Sequence, residues 1–249
     1  MMVSNQNILD VDIGNTRIKW RLTFEGVVVA SGVCDHSAGL SEYFRESLAG
    51  KKVDRVRVAS VVEGEALNNL FVISRESWAT ELEIAKVQPR CAGVEQGYDD
   101  YTRLGVDRWL GVLAAHNKYK KACLVVGCGT ATTLDFVDAR GVHLGGYIVP
   151  GLNLMRRSLF GGTDAVKVDS FVDDNSFVPG KSTEQAVNRG LLLMVIAIIN
   201  ESCDWLSSID DDFQLVLCGG DGELIGRHTG VQYIYEESLV LDGLAFALP

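Results

Sequence analysis

Apolar and polar positions alternate along the chain between short strand-like runs and longer helix-like runs. Runs of apolar or alternating residues predict strands over Ile8–Ile13, Arg17–Phe24, Val27–Val33, Val53–Val62, Leu82–Val87, Leu124–Val126, Thr132–Val137, Val142–Val149, Leu215–Cys218 and Val231–Ile234. Helical periodicity predicts helices over Leu40–Leu48, Glu65–Trp78, Gly105–Tyr119, Leu152–Leu159, Ser182–Leu206 and Glu237–Leu248. Loops are expected over Gln88–Arg103 and Gly161–Gly180. This alternation of strands and helices indicates an α/β protein.

The opening strand pair recurs in the second half of the chain. LDVDIGNTRIKWRLTFEGV aligns on LVVGCGTATTLDFVDARGV without a gap. Gly14 then falls on Gly129, and Gly26 falls on Gly141, both at a separation of 115 residues. Two matching glycine turns inside matching strand patterns indicate an internal duplication, whose repeat is far longer than a solenoid unit.

The duplication predicts two α/β halves, residues 1–120 and 121–249, that face each other across a central cleft. Ligands of α/β folds bind at the carboxyl ends of strands, in the crevice between such halves. We therefore expect the two glycine turns to line this cleft and to hold one ligand between them.

Composition and charge exclude several classes of partner. Hydrophobic residues make up 47% of the 249 residues, as in a folded globular protein. The net charge of −10, without a basic stretch, argues against nucleic acid and membrane surfaces as partners. The start of the chain does not resemble a secretory signal, so a cytoplasmic protein is expected. The longest apolar run, Leu191–Ile199, is too short to span a bilayer, and six scattered cysteines are expected to be reduced.

The first candidate site follows the first strand, in Asp12-Ile13-Gly14-Asn15-Thr16 with Lys19 beyond. A glycine lets the backbone approach a phosphate closely, and turn amides can donate to its oxygens. An ionised Asp12 suits Mg²⁺, directly or through water, and Lys19 can neutralise phosphate charge. Asp, Gly and Asn are also common in turns, so a hairpin turn without a ligand is the alternative interpretation.

The second candidate site is the matching segment Gly129-Thr130-Ala131-Thr132-Thr133. Its glycine and hydroxyl groups suit the other side of a phosphate chain. Alone it is equally consistent with a threonine-rich strand, because threonine favours strands intrinsically. As the second copy of a repeat it predicts a phosphate clamp made by two facing loops.

The third candidate site, Leu104-Gly105-Val106-Asp107-Arg108-Trp109, places an Asp-Arg pair at the start of a helix. One interpretation is a capping aspartate with an exposed arginine. The other makes Asp107 the group that orients a substrate hydroxyl and accepts its proton during phosphoryl transfer. Arg108 would then hold a carboxylate or phosphate as a fork.

Together these motifs resemble type III pantothenate kinases, a family of the sugar kinase, chaperone ATPase and actin superfamily. The resemblance runs from Asp12 to at least Gly190, and its most specific parts are LGVDRW and HLGGYIVPGL. It implies a duplicated actin-like (ribonuclease H-like) fold with a central nucleotide cleft. It also implies a homodimer that phosphorylates pantothenate with ATP in the first step of coenzyme A synthesis.

The resemblance also implies roles for individual residues. An ATP site would comprise Asp12, Ile13, Gly14, Asn15, Thr16, Arg17, Ile18, Lys19 and Thr130. A pantothenate pocket would comprise Tyr98, Gly105, Val106, Asp107, Arg108 and Thr183. Asp107 would be the catalytic base, Asp12 would lie near Mg²⁺, and Thr183 would reach pantothenate across a dimer interface.

Gly127 departs from the family pattern, which has an aspartate at this position, and it is also the repeat partner of Asp12. The family aspartate helps to bind a monovalent cation, K⁺ or NH₄⁺. Three interpretations stay open: the cation is absent, water and Asp135 compensate, or the chain is a weakened relative.

Two other functions remain as alternatives. Gly127 favours a non-catalytic regulatory or accessory member of the family, whereas Asp12, Asp107 and Arg108 oppose it, since a protein without catalysis has no chemical need for that set. The second alternative is a kinase for another acceptor, such as a sugar or a carboxylate.

Overall fold

The computed structural model describes residues 5–36, 39–61, 64–160 and 176–249. The chain forms two compact units. The first unit comprises Met1–Ala92, Tyr98–Ala114 and Leu239–Pro249. The second unit comprises Gly93–Gly97 and Ala115–Ser238. The division predicted at residue 120 follows chain order, whereas the last helix belongs to the first compact unit.

Up to residue 120, the elements follow the predicted alternation of strands and helices. They are β1 (Asn7–Ile13), β2 (Arg17–Phe24), β3 (Val27–Asp35), α1 (Leu40–Ser47), β4 (Arg55–Ser60), α2 (Glu65–Trp78), β5 (Leu82–Ile84), β6 (Arg90–Cys91), β7 (Val94–Glu95), a 3₁₀ turn (Tyr101–Arg103) and α3 (Val106–Tyr119). The sheet of the first unit has the order β3-β2-β1-β4-β5. β1, β2 and β3 are antiparallel neighbours, whereas β4 and β5 continue the sheet in parallel with β1.

Residues of β1 alternate between the two faces of this sheet. Leu9, Val11 and Ile13 are fully buried in a core that α1 and α2 help to form. Each such side chain contributes about 1.5–3 kcal/mol by burial. Asp10 and Asp12 therefore lie on the opposite face, because successive strand residues point to opposite sides. α7 (Leu239–Ala247) packs on β1 and β4.

The second unit repeats the topology of the first. Its elements are β8 (Ala122–Cys128), β9 (Ala131–Val137), β10 (His143–Pro150), α4 (Leu152–Phe160), α5 (Thr183–Ser207), β11 (Phe213–Cys218), α6 (Gly222–Gly226) and β12 (Tyr233–Tyr235). The sheet order is β10-β9-β8-β11-β12, with the same parallel and antiparallel neighbours. Two copies of one sheet topology confirm the predicted duplicated actin-like fold.

Helix α5 contributes much of the core of the second unit. Leu192, Val195 and Ile199 are buried in the same cluster as Leu124 and Leu134. By length and composition alone α5 could also cross a membrane, but 44% of its most apolar window is buried. Because the core helix of a soluble protein passes the same test, this is weak support for a membrane span.

The structure corrects the alignment of the two copies in one respect. Asp12 lies opposite Lys19 in the first sheet, whereas Gly127 lies opposite Thr133 in the second. The gapless alignment had matched Lys19 with Leu134, one residue further on. The second turn leaves one residue fewer between its strands than the first, so the pairing shifts by one.

The structure contains several short elements that the sequence did not predict. The predicted loop Gln88–Arg103 contains β6, β7 and the 3₁₀ turn, and the short helix α6 was not predicted. Of the predicted loop Gly161–Gly180, residues 161–175 lie outside the described part of the chain, as does Val62 at the end of a predicted strand.

Candidate active site

The first candidate loop connects β1 to β2 by a tight turn. Gly14 N–H donates to the carbonyl of Arg17 at 3.1 Å, and a Cβ on Gly14 would lie only 3.2 Å from that oxygen. Asn15, Thr16 and Arg17 are exposed. The turn thus presents amide, hydroxyl and guanidinium groups to solvent, which are suitable donors to phosphate oxygens.

Two residues of the predicted ATP loop lie inside the protein. Ile13 and Ile18 pair across the turn and are fully buried in the core of the first unit. Their side chains anchor the base of the turn. A nucleotide on this loop can therefore contact these two residues only through their backbone.

Asp12 is partly buried at the end of β1, opposite Lys19 on β2. Burial and, second, the negative charge of Asp107 raise the pKa of the Asp12 carboxyl to about 7, while Lys19 acts in the opposite direction. The structure thus brings the charge of Asp107 to act on Asp12, which is remote from it in sequence. Burial and a second carboxylate both disfavour the ionised form of Asp12, so a bound cation would stabilise it, and the arrangement suits binding of a cation.

The LGVDRW motif begins α3. Trp109 N–H donates to the Gly105 carbonyl at 3.0 Å, which starts the helix, and the Asp107 carboxylate accepts from Arg108 N–H at 2.8 Å. A Cβ on Gly105 would lie 2.7 Å from an oxygen of Asp107, so glycine leaves the space that this carboxylate uses. The capping interpretation is confirmed for Asp107, but the exposed arginine that it included is wrong, because Arg108 is buried. Capping and catalysis by Asp107 are compatible, since one oxygen can cap while the other takes a proton.

Arg108 and Tyr98 form a second pair in the first unit. Arg108 is buried, its Nη1 donates to Tyr98 Oη at 2.7 Å, and its guanidinium carbon lies 5.6 Å from the centre of the tyrosine ring. The sequence suggested Tyr98 only through the family resemblance. The pair fixes the orientation of the Arg108 guanidinium, whose fork suits a substrate carboxylate or phosphate.

Among the residues that the structure describes, no group of three or more His, Cys, Asp or Glu side chains could hold a metal ion. This is compatible with Mg²⁺, which proteins commonly bind through one or two carboxylates together with substrate phosphates and water. Asp12 is the residue of the first unit whose position and charge suit that role best.

The second candidate loop connects β8 to β9 and presents Thr130 on the surface of the second unit. Gly151 N–H donates to the Thr130 carbonyl at 3.0 Å, and a Cβ on Gly151 would lie 2.1 Å from the carbonyl oxygen of Gly129. Only glycine therefore permits this close packing. The sequence motif HLGGYIVPGL contained Gly151, but its support of the loop was not predicted.

Gly219 supports the same loop from β11. It has φ of +88°, and a Cβ there would lie 2.4 Å from the Cys128 carbonyl oxygen. That oxygen accepts Asp221 N–H at 3.1 Å. The run Gly219-Gly220 was a visible signal of close backbone approach, although the sequence did not reveal its contact.

Gly127 faces Thr133 across β8 and β9. A Cβ on Gly127 would lie 2.7 Å from Thr133 Oγ1 and 4.0 Å from Cys218 Sγ. Asp135, which was considered as a substitute for the missing carboxylate, is buried and lies 3.0 Å from His143 Nε2. Its position within β9 and this partner favour a structural role.

Thr183 is exposed at the first turn of α5. The preceding Ser182 caps the helix by accepting from Gln185 N–H at 3.2 Å, and the Gln185 side chain accepts from Lys181 N–H at 3.0 Å. The cap therefore does not use Thr183, and its hydroxyl faces the surface of the second unit.

Two comparisons by sequence agree on one family. Residues 8–204 match the sequence profile described as type III pantothenate kinase. A type III pantothenate kinase of Ectopseudomonas mendocina (strain ymp) is 39% identical over 248 residues, which cover 97% of this chain and 99% of the relative. One from Pseudomonas aeruginosa (strain LESB58) is 39% identical over 251 residues, with the same coverage.

A solved structure from Campylobacter jejuni, described as a Baf family transcriptional activator, has a TM-score of 0.60 with this chain. The two share 19% identity, and the match covers 95% of each chain. At this identity the similarity concerns the fold alone.

Proposed function

The chain belongs to the type III pantothenate kinase family, and from this premise we propose how its residues divide the phosphorylation of pantothenate by ATP. The protein is an ATP-dependent kinase of coenzyme A synthesis that transfers a phosphoryl group to pantothenate. The family match gives no support to the non-catalytic alternative.

The observation that carries the proposal is the electrostatic coupling of Asp107 to Asp12. It supports one site in which Asp12, beside the phosphate loop, lies close to Asp107, beside the acceptor. Asp107 orients the terminal hydroxyl of pantothenate and accepts its proton as the new O–P bond forms. The bond between the γ-phosphorus and the bridging oxygen breaks at the same time, and ADP leaves.

Mg²⁺ fits the residues present, because Asp12 offers a carboxylate and the negative charge of Asp107 acts on the same position. Asp12 would hold it directly or through water. When bound, the ion neutralises negative charge on the phosphates. Lys19 adds a further positive charge beside Asp12, opposite it on the neighbouring strand.

The remaining residues bind and orient the two substrates. Asn15, Thr16 and the turn amides donate to phosphate oxygens, and the family resemblance assigns Thr130 to ATP as well. Arg108, fixed by Tyr98, holds the carboxylate of pantothenate or the transferring phosphoryl group. Held in this way, the acceptor hydroxyl needs little further reorientation before reaction.

The experiment that tests this assignment measures phosphopantothenate and ADP with purified protein, MgATP and a panel of acceptors. Pantothenate should be preferred over sugars and other hydroxy-carboxylates, and Tyr98→Phe should raise the KM for pantothenate about 3- to 10-fold by loosening Arg108. A clear preference for another acceptor would displace the assignment, and an unchanged KM would remove Tyr98 from the pocket.

The monovalent cation does not fit the residues at position 127. No carboxylate is present there, and Thr133 Oγ1 occupies the adjacent space. We therefore propose that turnover does not depend on K⁺ or NH₄⁺. Rates at constant ionic strength should agree within about twofold with and without K⁺, and strong activation would contradict this. Gly127→Asp should introduce a dependence on K⁺ or NH₄⁺.

Exposed apolar side chains of the second unit support a homodimer. They include Ile148 on β10 and Met194 on α5, each 61% exposed, and Leu193 beside Met194. In the dimer, Thr183 would contact the pantothenate of the other protomer. Met194→Glu should yield monomers in light scattering and Thr183→Ala should raise the KM for pantothenate. A dimeric Met194→Glu protein would refute this surface as the dimer interface.

We also propose that the enzyme is cytoplasmic, where pantothenate and ATP are available.

A further inference from the structure

His36 contacts the first candidate loop from the end of β3. Its Nε2 lies 2.7 Å from the carbonyl oxygen of Gly14, and its side chain is exposed. A carbonyl oxygen only accepts hydrogen bonds, so the imidazole donates through Nε2–H. Neither the sequence motifs nor the family resemblance assigns a role to His36.

A β-bulge in β3 brings His36 to this position. The pairing of β3 with β2 shifts by one residue, with Val29 as the extra residue of β3. After this shift Asp35 lies opposite Arg17, which is the first residue of β2 after the turn, and His36 follows directly. A bulge commonly re-aims the residues that follow it, and here it places an imidazole beside the turn.

The hydrogen bond fixes the orientation of the peptide that joins Gly14 to Asn15. A trans peptide directs its C=O and N–H to opposite sides, so Asn15 N–H points away from His36. Peptides beside glycine rotate more easily than others. Rotation here would put a carbonyl oxygen where the N–H had been, and that dipole would repel a phosphate. Since Gly14 N–H is held by Arg17, both backbone polar groups of Gly14 are engaged.

We propose that His36 is a positioning residue for the nucleotide. It holds the Gly14 carbonyl away from the phosphates and keeps Asn15 N–H available to them. The inference rests on the proposed function in one respect, namely that this loop binds the phosphates of ATP. Because His36 acts through the loop, its loss should weaken ATP binding without changing pantothenate binding or the chemical step.

The test compares His36→Ala with His36→Gln, whose side-chain amide offers a donor of similar reach. Ser31→Ala, an exposed position on the same strand, is the matched control. In His36→Ala, the KM for ATP and the Kd of a non-hydrolysable ATP analogue should rise about 3- to 10-fold, the effect of one hydrogen bond. The turnover number and the KM for pantothenate should stay within about twofold. His36→Gln should restore ATP affinity, and Ser31→Ala should not alter it.

Unchanged ATP affinity in His36→Ala would overturn the inference. So would a glutamine variant as weak as the alanine variant, or equal increases in the KM of both substrates. Wild-type protein that bound no ATP would overturn the proposed function as well, whereas normal wild-type binding with an unaffected alanine variant would overturn this inference alone.

Discussion

The hydroxyl oxygen of Thr133 lies 2.7 Å from the point that a β-carbon on Gly127 would occupy. Thr133 pairs with Gly127 as Lys19 pairs with Asp12 in the first copy of the fold. The charged pair Asp12 and Lys19 of the first unit thus corresponds to the neutral, closely packed pair Gly127 and Thr133 of the second. Any side chain introduced at position 127 must displace the threonine hydroxyl.

This contact predicts a packing penalty for Gly127→Ala. The substitution should lower the free energy of unfolding by about 1–3 kcal/mol, and by less in a Thr133→Ala background. Urea unfolding of the double-mutant cycle measures the coupling. Gly190→Ala, at a helical position with open space around the added carbon, should instead be neutral or slightly stabilising. Equal penalties in both backgrounds would show that the hydroxyl is not the cause.

The raised pKa of Asp12, about 7, predicts pH-dependent binding of MgATP. Below that pH, protons compete with Mg²⁺ for the carboxylate, so MgATP affinity should fall by up to about tenfold per pH unit. Calorimetric titrations between about pH 5.5 and 8.5 would measure the affinity for MgATP. Asp12→Asn is the control, whose weak affinity for MgATP should vary little with pH. Constant wild-type affinity down to the lowest pH would argue against Asp12 as the metal ligand.

The same pKa predicts that Asp12→Asn stabilises the ligand-free protein. The folded state holds the Asp12 proton more tightly than the unfolded chain, whose pKa is near 3.8. Stability is therefore lost as pH rises from about 4 to about 7, and the full loss persists above 7. At pH 8 the variant should be more stable by about 1–3 kcal/mol, with a smaller gain at pH 5. A variant less stable at both pH values would contradict this.

Asp107→Asn should lower the turnover number by about 10²–10⁴ while the fold stays intact. Removing the Asp107 charge also removes one cause of the raised Asp12 pKa, so the acid limb of MgATP binding should move to lower pH. Asp99→Asn, at an exposed position nearby in sequence, is the control and should change neither property. Turnover like that of the wild type would exclude Asp107 as the base.

The buried pair of Asp10 and Arg57 predicts a large stability effect in the first unit. Arg57 donates to the two carboxylate oxygens of Asp10 at 2.7 and 3.1 Å, and Arg21 is a further partner at 3.2 Å. Arg57→Leu should cost about 3–5 kcal/mol in urea unfolding, since it leaves a buried carboxylate undercompensated. Arg45→Leu breaks an exposed pair and should cost at most about 1 kcal/mol. Equal costs would contradict the role of burial.

Element order was predictable because apolar periodicity is a local property of the sequence. The alternation in β1 and the helical period of α5 reflect which side chains must leave water. β6 and β7 have two residues each, too few for any period to show. The pairing of β9 with β8 was not predicted correctly, because the turn between them is one residue shorter than its counterpart in the first copy. A gapless alignment that matches the glycines before and after β9 does not reveal this difference.

The sequence by itself determined the duplicated fold and the functional groups available, including Asp12, Asp107 and Arg108. Tertiary structure alone decided that the charge of Asp107 acts on Asp12, that Thr133 fills the space beside Gly127, and that a bulge carries His36 to the turn. The physical reason is that burial, charge coupling and close backbone approach act through space. They depend on the distance between residues that the chain itself keeps far apart.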